Sequence, residues 1–489
     1  MALLAGAMVA IGAQATGAAP ADLPLGQVIG TLAPGSTLVG CGQANQVIQV
    51  TADAHLDPSC TYTKGLEITA SDVTLDCQGA VIESAPDAGG RGILLTTPVD
   101  VPLANVTVRN CIVGGFLNTM RVTRAGFKTL TPDNAYDNTT SNILIENVAL
   151  HDSRGVGLFV DGYTSDVTMR DLTVTRAGSS GIYLEAGSRQ NLVERVVFTG
   201  NGIRENGPDG QTLQLGGETY RWWGTGREGL SIDGSRDNVV RNNTFVDNMA
   251  GGIFLYKNCG EFVNDEPAQH WSRWTPASGN LIEANTFTHE DNGVWVASRA
   301  AENQLFMDCS DTPYVSDAIT RIYRDPATDN TVRNNAFTDV TYGVRVEDDR
   351  TVVEGNVFTS DVGAHMAVLV GTLYRTEVLG EPVAGAVVRN NTASIAGNTH
   401  PYRWIHGLGA DTTYADNVSL DAAVVWCAGE QPPIDPFLFV VQFQLDGPDA
   451  APTTTIPATA APAPCPSDPT VDPVAAPTAG AVVTPAFTG

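Results

Sequence analysis

The chain has 489 residues, of which 43 % are hydrophobic, 17 % are charged and 50 are glycine. Its 54 acidic and 27 basic residues give a formal net charge of −27, which excludes charge-driven binding to nucleic acid or anionic lipid because both would repel the chain. Its partners are therefore expected to be neutral, cationic or bridged by a metal ion.

The chain begins with a segment typical of a secretory signal. Residues 2–12 are uncharged and mostly apolar, and small residues follow them through Ala21. This pattern predicts a signal-like segment over 1–20 and a secreted or cell-surface extracellular protein. No later apolar run approaches the ~18 residues of a membrane span, so no membrane span is expected.

Eight cysteines are spread along the chain, none of them in a Cys-x-x-Cys pair. In an exported protein an even count favours disulfides over a metal site. Eight cysteines allow ~105 complete pairings. Nearness in the sequence favours Cys41–Cys60, Cys77–Cys111, Cys259–Cys309 and Cys427–Cys465.

Two short phrases alternate over about residues 61–420, and each has the period-two pattern of a β-strand. One phrase begins with Asn or Asp, at Asn105, Asn142, Asp166, Asn191, Asn238, Asn280 and Asn330. The other begins with Gly, at Gly157, Gly181, Gly229, Gly252, Gly293 and Gly343. Gly181 follows Gly157 by 24 residues, which is too short for a βαβ unit of ~30 or more. The spacing predicts an all-β fold, a right-handed parallel β-helix (solenoid) in which each coil pairs with the next.

The recurring Asn residues are interpreted as turn formers, stacked in ladders whose side-chain amides bond from coil to coil. Between them, inward Val, Ile and Leu are expected to form one continuous core. The Asn residues are not interpreted as glycosylation or ligand sites.

Loop insertions and ends complete the predicted organisation. Insertions around 204–227, 261–277 and 302–327 flank the Gly strands and are expected to wall that face into a cleft, with Trp222 and Trp223 as sugar-binding residues. The predicted ends are an N-terminal cap over 21–60, a C-terminal cap over 421–447 and a disordered Pro/Ala/Thr-rich tail over 448–489.

The Gly strands present two outward columns, because the first and third residues after each Gly are aliphatic and face inward. The column two residues after Gly consists of Phe159, Tyr183, Ser231, Phe254, Trp295 and Arg345. The column four residues after Gly consists of Asp161, Glu185, Asp233, Tyr256, Ala297 and Glu347. An aromatic strip for sugar rings is predicted here, with the sugar-binding residues Phe159, Tyr183, Phe254, Trp295 and Arg345 of the first column and Tyr256 of the second. In the second, coils ~4.8 Å apart place three carboxylates ~5 and ~10 Å from one another.

Three stacked carboxylates with no Lys or Arg beside them in the phrases need a reason, because stacked like charges repel. They can bind Ca²⁺, for which Asp161, Glu185 and Asp233 are the candidate ligands. Two of them can instead act as acid and base on a glycosidic bond. The third alternative is that they are solvated and their spacing is accidental.

Two cations end the following Gly strands. Lys257 and Arg299 are separated by one coil plus an insertion, so they are expected to be stacked neighbours. Lys257 lies one residue beyond Tyr256, so strict alternation would point it inward unless the strand has already turned. The alternative is that both are solvated surface charges.

The repeat resembles extracellular β-helical carbohydrate-active proteins. Gly229-Leu-Ser-Ile-Asp-Gly-Ser, followed by Asn238-Val-Val-Arg-Asn-Asn, is similar to the repeats of mannuronan C5-epimerases. The order of acids, Lys257 and then Arg299 is similar to the chondroitinase B and alginate lyase family. That resemblance implies that Ca²⁺ neutralises a uronate carboxylate, that Lys257 takes the C5 proton, and that Arg299 acts as the acid or clamp.

These observations predict a secreted, monomeric, single-domain polysaccharide-active protein. The leading activity is β-elimination or C5 epimerisation of a uronate-containing polysaccharide, with Lys257, Arg299, Asp233 and Glu185 as catalytic residues. One alternative is a glycoside hydrolase that uses two carboxylates of the same column. Another is a non-catalytic glycan-binding surface protein.

Overall fold

The structure is a computed structural model. It describes residues 27–84, 90–131, 133–203, 226–257, 275–298, 326–372, 375–376, 380–405 and 411–421. Strands at 211–215, 218–222, 315–316, 321–322 and 443–445 are described by their backbone alone.

The chain folds as the predicted right-handed parallel β-helix, whose strands pair in parallel from one coil to the next. Strands are numbered β1 to β39 in chain order. The sheet formed by the Gly strands, called the Gly-strand sheet below, has twelve strands: β2 (Ile48–Val50), β5 (Leu66–Ile68), β8 (Arg91–Leu95), β10 (Asn118–Val122), β12 (Leu158–Val160), β14 (Ile182–Leu184), β19 (Glu228–Asp233), β22 (Gly251–Tyr256), β25 (Asn292–Val296), β30 (Tyr342–Val346), β33 (Met366–Val370) and β36 (Tyr402–Trp404).

The second sheet has 22 strands: β1 (Thr37–Val39), β3 (Ala54–Leu56), β4 (Thr61–Tyr62), β6 (Thr74–Asp76), β7 (Val81–Glu83), β9 (Ala104–Gly114), β11 (Ser141–His151), β13 (Ser165–Thr175), β15 (Leu192–Glu194), β16 (Val197–Thr199), β20 (Val239–Arg241), β21 (Thr244–Val246), β23 (Leu281–Glu283), β24 (Thr286–Thr288), β28 (Thr331–Arg333), β29 (Ala336–Thr338), β31 (Val352–Glu354), β32 (Val357–Ser360), β34 (Val387–Arg389), β35 (Thr392–Ile395), β37 (Thr413–Ala415) and β38 (Val418–Ser419). Smaller antiparallel sheets join β17 (Gln211–Leu215), β18 (Glu218–Trp222) and β39 (Phe443–Leu445), and β26 (Val315–Ser316) with β27 (Arg321–Ile322). Short 3-10 helices span Cys41–Gln43 and Phe127–Thr129.

From β15 to β36 each described coil has three strands, one more than the two phrases identified in the sequence. Strands β15 and β16 are separated only by a bend at Arg195, whose φ of 52° is left-handed. In the three coils before β15 the same stretch is one long strand, β9, β11 or β13, whereas the coils of β3–β5 and β6–β8 also have three strands. The third strand follows the Asn phrase so closely that the two have the period-two pattern of a single strand.

Stacked aromatic rings form part of the core, because the same position of successive coils carries the same side chain. The rings of Phe198, Phe245, Phe287, Phe337 and Phe358 stack with neighbouring centroids 4.5–4.9 Å apart. All five are buried. Burying a side chain of this size contributes about 1.5–3 kcal/mol.

The predicted Asn ladders are confirmed. Asn243 donates its backbone N–H and its Nδ2 to Oδ1 of Asn285, each at 2.9 Å, and Asn285 does the same to Asn335 at 2.9 and 3.0 Å. Three ladders of this kind run along the described coils: Asn191–Asn238–Asn280–Asn330, Asn243–Asn285–Asn335–Asn356–Asn391–Asn417 and Asn201–Asn248–Glu290.

The third ladder ends on a carboxyl group instead of an amide. Oε1 of Glu290 accepts hydrogen bonds from the backbone N–H of Asn248 at 3.3 Å and from its Nδ2 at 2.7 Å. Oε2 is buried and has no hydrogen-bond partner among the described residues. Burial therefore raises the pKa of Glu290 to about 8.

Two predicted disulfides are confirmed, Cys41–Cys60 and Cys77–Cys111. The predicted pairs Cys259–Cys309 and Cys427–Cys465 lie outside the described residues.

Stacked strands already begin at Thr37, well before the predicted start of the β-helix at residue 61. The signal-like segment, most of the 421–447 cap and the 448–489 tail lie outside the described residues. No helix in the described part of the chain is both long and apolar enough to cross a membrane.

Candidate functional site

The Gly-strand sheet places the predicted aromatic strip in one column. Successive parallel partners run from Phe159 through Tyr183, Ser231, Phe254 and Trp295 to Arg345. Below Phe159 the same column continues with Arg121, Leu94 and Glu67. The 24-residue spacing therefore predicted the register correctly, whereas the sugar-binding role of these residues stays a prediction.

The aromatic residues of this column pack mainly on one another. Phe159 and Tyr183 stack with centroids 5.0 Å apart, and Phe254 meets Trp295 edge-on at 5.0 Å. The guanidinium of Arg345 lies 3.9 Å from the centre of the Trp295 ring. Tyr183, Phe254 and Trp295 are only 4–6 % exposed, and Phe159 is partly exposed. Phe159 therefore offers the most open aromatic surface of the four.

The predicted carboxylate column also forms. Val160, Leu184 and Ile232 are parallel partners on three successive coils, and the residue after each of them is an acid: Asp161, Glu185 and Asp233. On the next coil, Asp233 pairs with Tyr256. All three acids are buried. Buried carboxylates need hydrogen bonds or opposite charges, so their partners decide what each can do.

The premise that no cation accompanies these acids is wrong. Arg121, one coil below Asp161, donates from Nε and Nη2 to Oδ1 of Asp161, each at 2.8 Å. Arg121 belongs to β10, which does not begin with the Gly phrase, so the sequence pattern did not identify it. Burial raises the pKa of Asp161 to about 6 even though the charge of Arg121 acts to lower it.

Two phenols each hydrogen-bond a carboxylate at the centre of this face. The hydroxyl of Tyr183 donates to Oδ2 of Asp233 on the next coil. One coil further, the hydroxyl of Tyr256 donates to Oε1 of Glu228 at 2.9 Å and accepts from Nη2 of Arg227 at 2.8 Å. The site thus holds two phenol–carboxylate pairs on neighbouring coils.

Glu228 was missed in the sequence because period-two alternation breaks at Gly229. A Cβ on Gly229 would lie 3.0 Å from the core ring of Phe245, so both Gly229 and Leu230 face the core. Glu228 therefore faces the site together with Ser231, whose hydroxyl donates to it. An alternation rule cannot detect this, since it assumes that inward and outward residues alternate without a break.

Lys257 directly follows β22 and is 0 % exposed. It is therefore not a solvated surface charge. Arg299 and Trp223 lie outside the described residues, and Trp222 is described only as part of β18. The predicted contact of Lys257 with Arg299 stays a prediction.

As arranged in this structure, Asp161, Glu185 and Asp233 do not converge on one ion, and Ca²⁺ binding by the protein stays a prediction. The carboxylate oxygens of Asp161, Glu185 and Asp233 do not all lie within 4.8 Å of one another. Among the described residues, the one group of three possible ligand atoms that close together is Cys41, Asp57 and Cys60. The two cysteines of that group are joined in a disulfide. One oxygen of Asp161 is also engaged by Arg121.

Comparison with known proteins supports the fold. The family model described as "Right handed beta helix region" matches residues 60–267. No curated protein sequence matches the chain. The expected resemblance to β-helical carbohydrate-active proteins is confirmed at the level of the fold.

Several solved structures are similar to this chain at low identity. The A-module of Azotobacter vinelandii mannuronan C-5 epimerase AlgE6 is 16 % identical, with a TM-score of 0.47 over 80 % of this chain and 88 % of that one. The alginate lyase from Paenibacillus sp. str. FPU-7 is 13 % identical, with a TM-score of 0.34 over 76 % of this chain and 97 % of that one. The catalytic domain of GH87 alpha-1,3-glucanase in complex with nigerose is 11 % identical, with a TM-score of 0.32 over 81 % of this chain and 64 % of that one. Structures this distant do not determine the reaction.

Proposed function

We propose that this protein binds a uronate-containing polysaccharide along the Gly-strand sheet and removes the proton at C5 of one uronate. The reaction is then β-elimination or C5 epimerisation. One observation carries the proposal: neighbouring coils bring together two phenol–carboxylate pairs, Tyr183 with Asp233 and Tyr256 with Glu228, and the coil of Tyr256 also carries the buried Lys257. The two disulfides are consistent with an extracellular protein.

The chemistry needs a base, an acid and a positive charge near the uronate carboxylate, because the transition state is carbanion-like. In the proposal Lys257 takes the C5 proton, as the resemblance to the chondroitinase B and alginate lyase family implies. Arg227, which binds the hydroxyl of Tyr256, supplies the positive charge. Tyr183, whose hydroxyl rests on Asp233, supplies the second proton by turning this O–H to the leaving oxygen or to C5, and the phenolate then takes a proton from water.

The two reactions differ in where the second proton goes. In elimination the C4–O bond breaks, a C4–C5 double bond forms, and the leaving oxygen takes the proton. In epimerisation the proton returns to C5 from the opposite face, and no bond of the chain breaks. Both reactions use the same abstraction step.

The test uses polyuronate in D₂O with the whole protein. Ultraviolet absorbance of the unsaturated product reports elimination, and deuterium at C5 without chain cleavage reports epimerisation. Lys257→Met and Tyr183→Phe are expected to lower either signal by at least about 100-fold, in line with the ~10²–10⁴-fold contribution of acid–base groups. Tyr342→Phe, four coils from Tyr183 on the same sheet, is the matched control and is expected to keep full activity.

A glycoside hydrolase is the second candidate, favoured by the raised pKa of Asp161, which suits a general acid, and by Glu185 on the next coil. New reducing ends without ultraviolet absorbance or C5 deuterium would support it and contradict the leading proposal. Binding of every polysaccharide tested without any chemical change would instead support a non-catalytic glycan-binding protein.

A further inference from the structure

A cavity of about 200 Å³ lies on the Gly-strand sheet beside the coil of Arg121. Its lining includes Arg91, Arg121 and Arg124 and a single acid, Asp161. The charges of these four side chains give the cavity a net positive charge, although the formal charge of the whole chain is −27. A cationic cavity in so acidic a protein points to an anionic ligand.

Arg124 provides the second observation. It is 5 % exposed, and its Nη2 donates to the backbone carbonyl of Asp137. Its Nε and Nη1 are buried and have no hydrogen-bond partner among the described residues. Buried guanidinium N–H groups without acceptors are costly, so the cavity lacks an acceptor that a bound anion would provide.

The charges around the cavity also favour a bound anion. Arg121 uses Nε and Nη2 on Oδ1 of Asp161 and stands 4.9 Å from the centre of the Phe159 ring. Partial burial and the charge of Arg121 both lower the pKa of Arg91. A bound anion would offset this lowering because it stabilises the charged guanidinium. Outside the lining, Glu67 attracts Arg91, and Asp100 and Asp137 attract Arg124.

We propose that this cavity is a subsite for one acidic group of the polysaccharide, separate from the reacting uronate. The subsite rests on the proposed function for the identity of the polymer. A carboxylate is the acidic group that a uronate polymer offers, and each buried N–H of Arg124 without an acceptor can donate a charge-assisted hydrogen bond to it. Arg121 lies two coils below Tyr183, about 10 Å along the axis, so the anion belongs to a different sugar unit from the one at Tyr183.

The test is equilibrium binding of a short uronate oligosaccharide, measured by calorimetry, beside a neutral oligosaccharide of equal length. Arg124→Met is expected to weaken uronate binding by about tenfold or more, as lost charge-assisted hydrogen bonds do. Arg91→Met, at an exposed position, is expected to weaken it by a smaller factor and tests the subsite even if Arg124→Met fails to fold. Arg170→Met, on β13 of the other sheet and paired with Glu146, is the control and is expected to leave binding unchanged.

Equal uronate binding by wild type and both cavity variants would overturn the subsite. Tighter binding of a sulfated oligosaccharide or of inorganic sulfate than of the uronate oligosaccharide would overturn its assignment to a carboxylate. Uronate binding that depends on Arg124 but is followed by no reaction would support the subsite and refute the proposed function, so the two failures are distinguishable.

Discussion

Replacing Glu290 with Gln is expected to remove much of the pH dependence of stability in the coils. Glu290 occupies a ladder position that Asn fills elsewhere, and its Oε1 accepts two hydrogen bonds from Asn248. Gln has nearly the same shape and can accept the same two bonds, but it does not ionise. The variant therefore isolates the cost of a buried charge.

The magnitude follows from the shift in pKa. Burial raises the pKa of Glu290 from 4.5 to about 8, so the folded chain binds a proton that the unfolded chain has already lost between these values. The stability that Glu290 contributes is fully present below pH 4.5 and is lost as the pH rises to 8. At ~1.36 kcal/mol per pKa unit the loss is at most about 5 kcal/mol.

The assay is urea unfolding followed by circular dichroism at several pH values between about 4 and 9, with the disulfides intact. Glu290→Gln and wild type are expected to have similar stability at the acid end and to diverge as the pH rises, with the variant more stable. Glu354→Gln removes a surface carboxylate beside Arg389 and is the matched control, expected to keep the pH slope of wild type. Parallel pH profiles for wild type and Glu290→Gln would refute the reasoning.

Three further predictions concern the coil and the site. Asn285→Ala is expected to lower the free energy of unfolding by about 2–4 kcal/mol, since two N–H groups of Asn243 lose their acceptor; urea unfolding measures it. Gly293→Ala places a Cβ 2.4 Å from Cε1 of Phe337 and is expected to lower the free energy of unfolding by about 1–3 kcal/mol. Gly40→Ala, which has open space around its Cβ, is expected to change the free energy of unfolding little. Treatment with a chelator is expected to leave the melting temperature unchanged, because Asp161, Glu185 and Asp233 do not converge on one point and Arg121 already binds Asp161; a clear drop would contradict this.

The repeat made the backbone of this protein predictable. A Gly or Asn phrase recurring after about one coil places residues far apart in the chain side by side, because each coil pairs with the next in register. Phe159 and Tyr183 therefore stack as expected, and Asn285 joins its neighbours in a ladder. Two of the disulfides, Cys41–Cys60 and Cys77–Cys111, were predictable from nearness in the sequence alone.

The chemistry of the site was decided by the tertiary structure. Arg121 pairs with Asp161 although its own strand lacks the phrase, and Glu228 faces the site only because the alternation of inward and outward residues breaks at Gly229. A repeat pattern specifies which backbone positions are neighbours. Which side chains meet, and whether a carboxylate is buried or paired, depends on the bends between strands and on the coil below, and neither follows from period-two alternation.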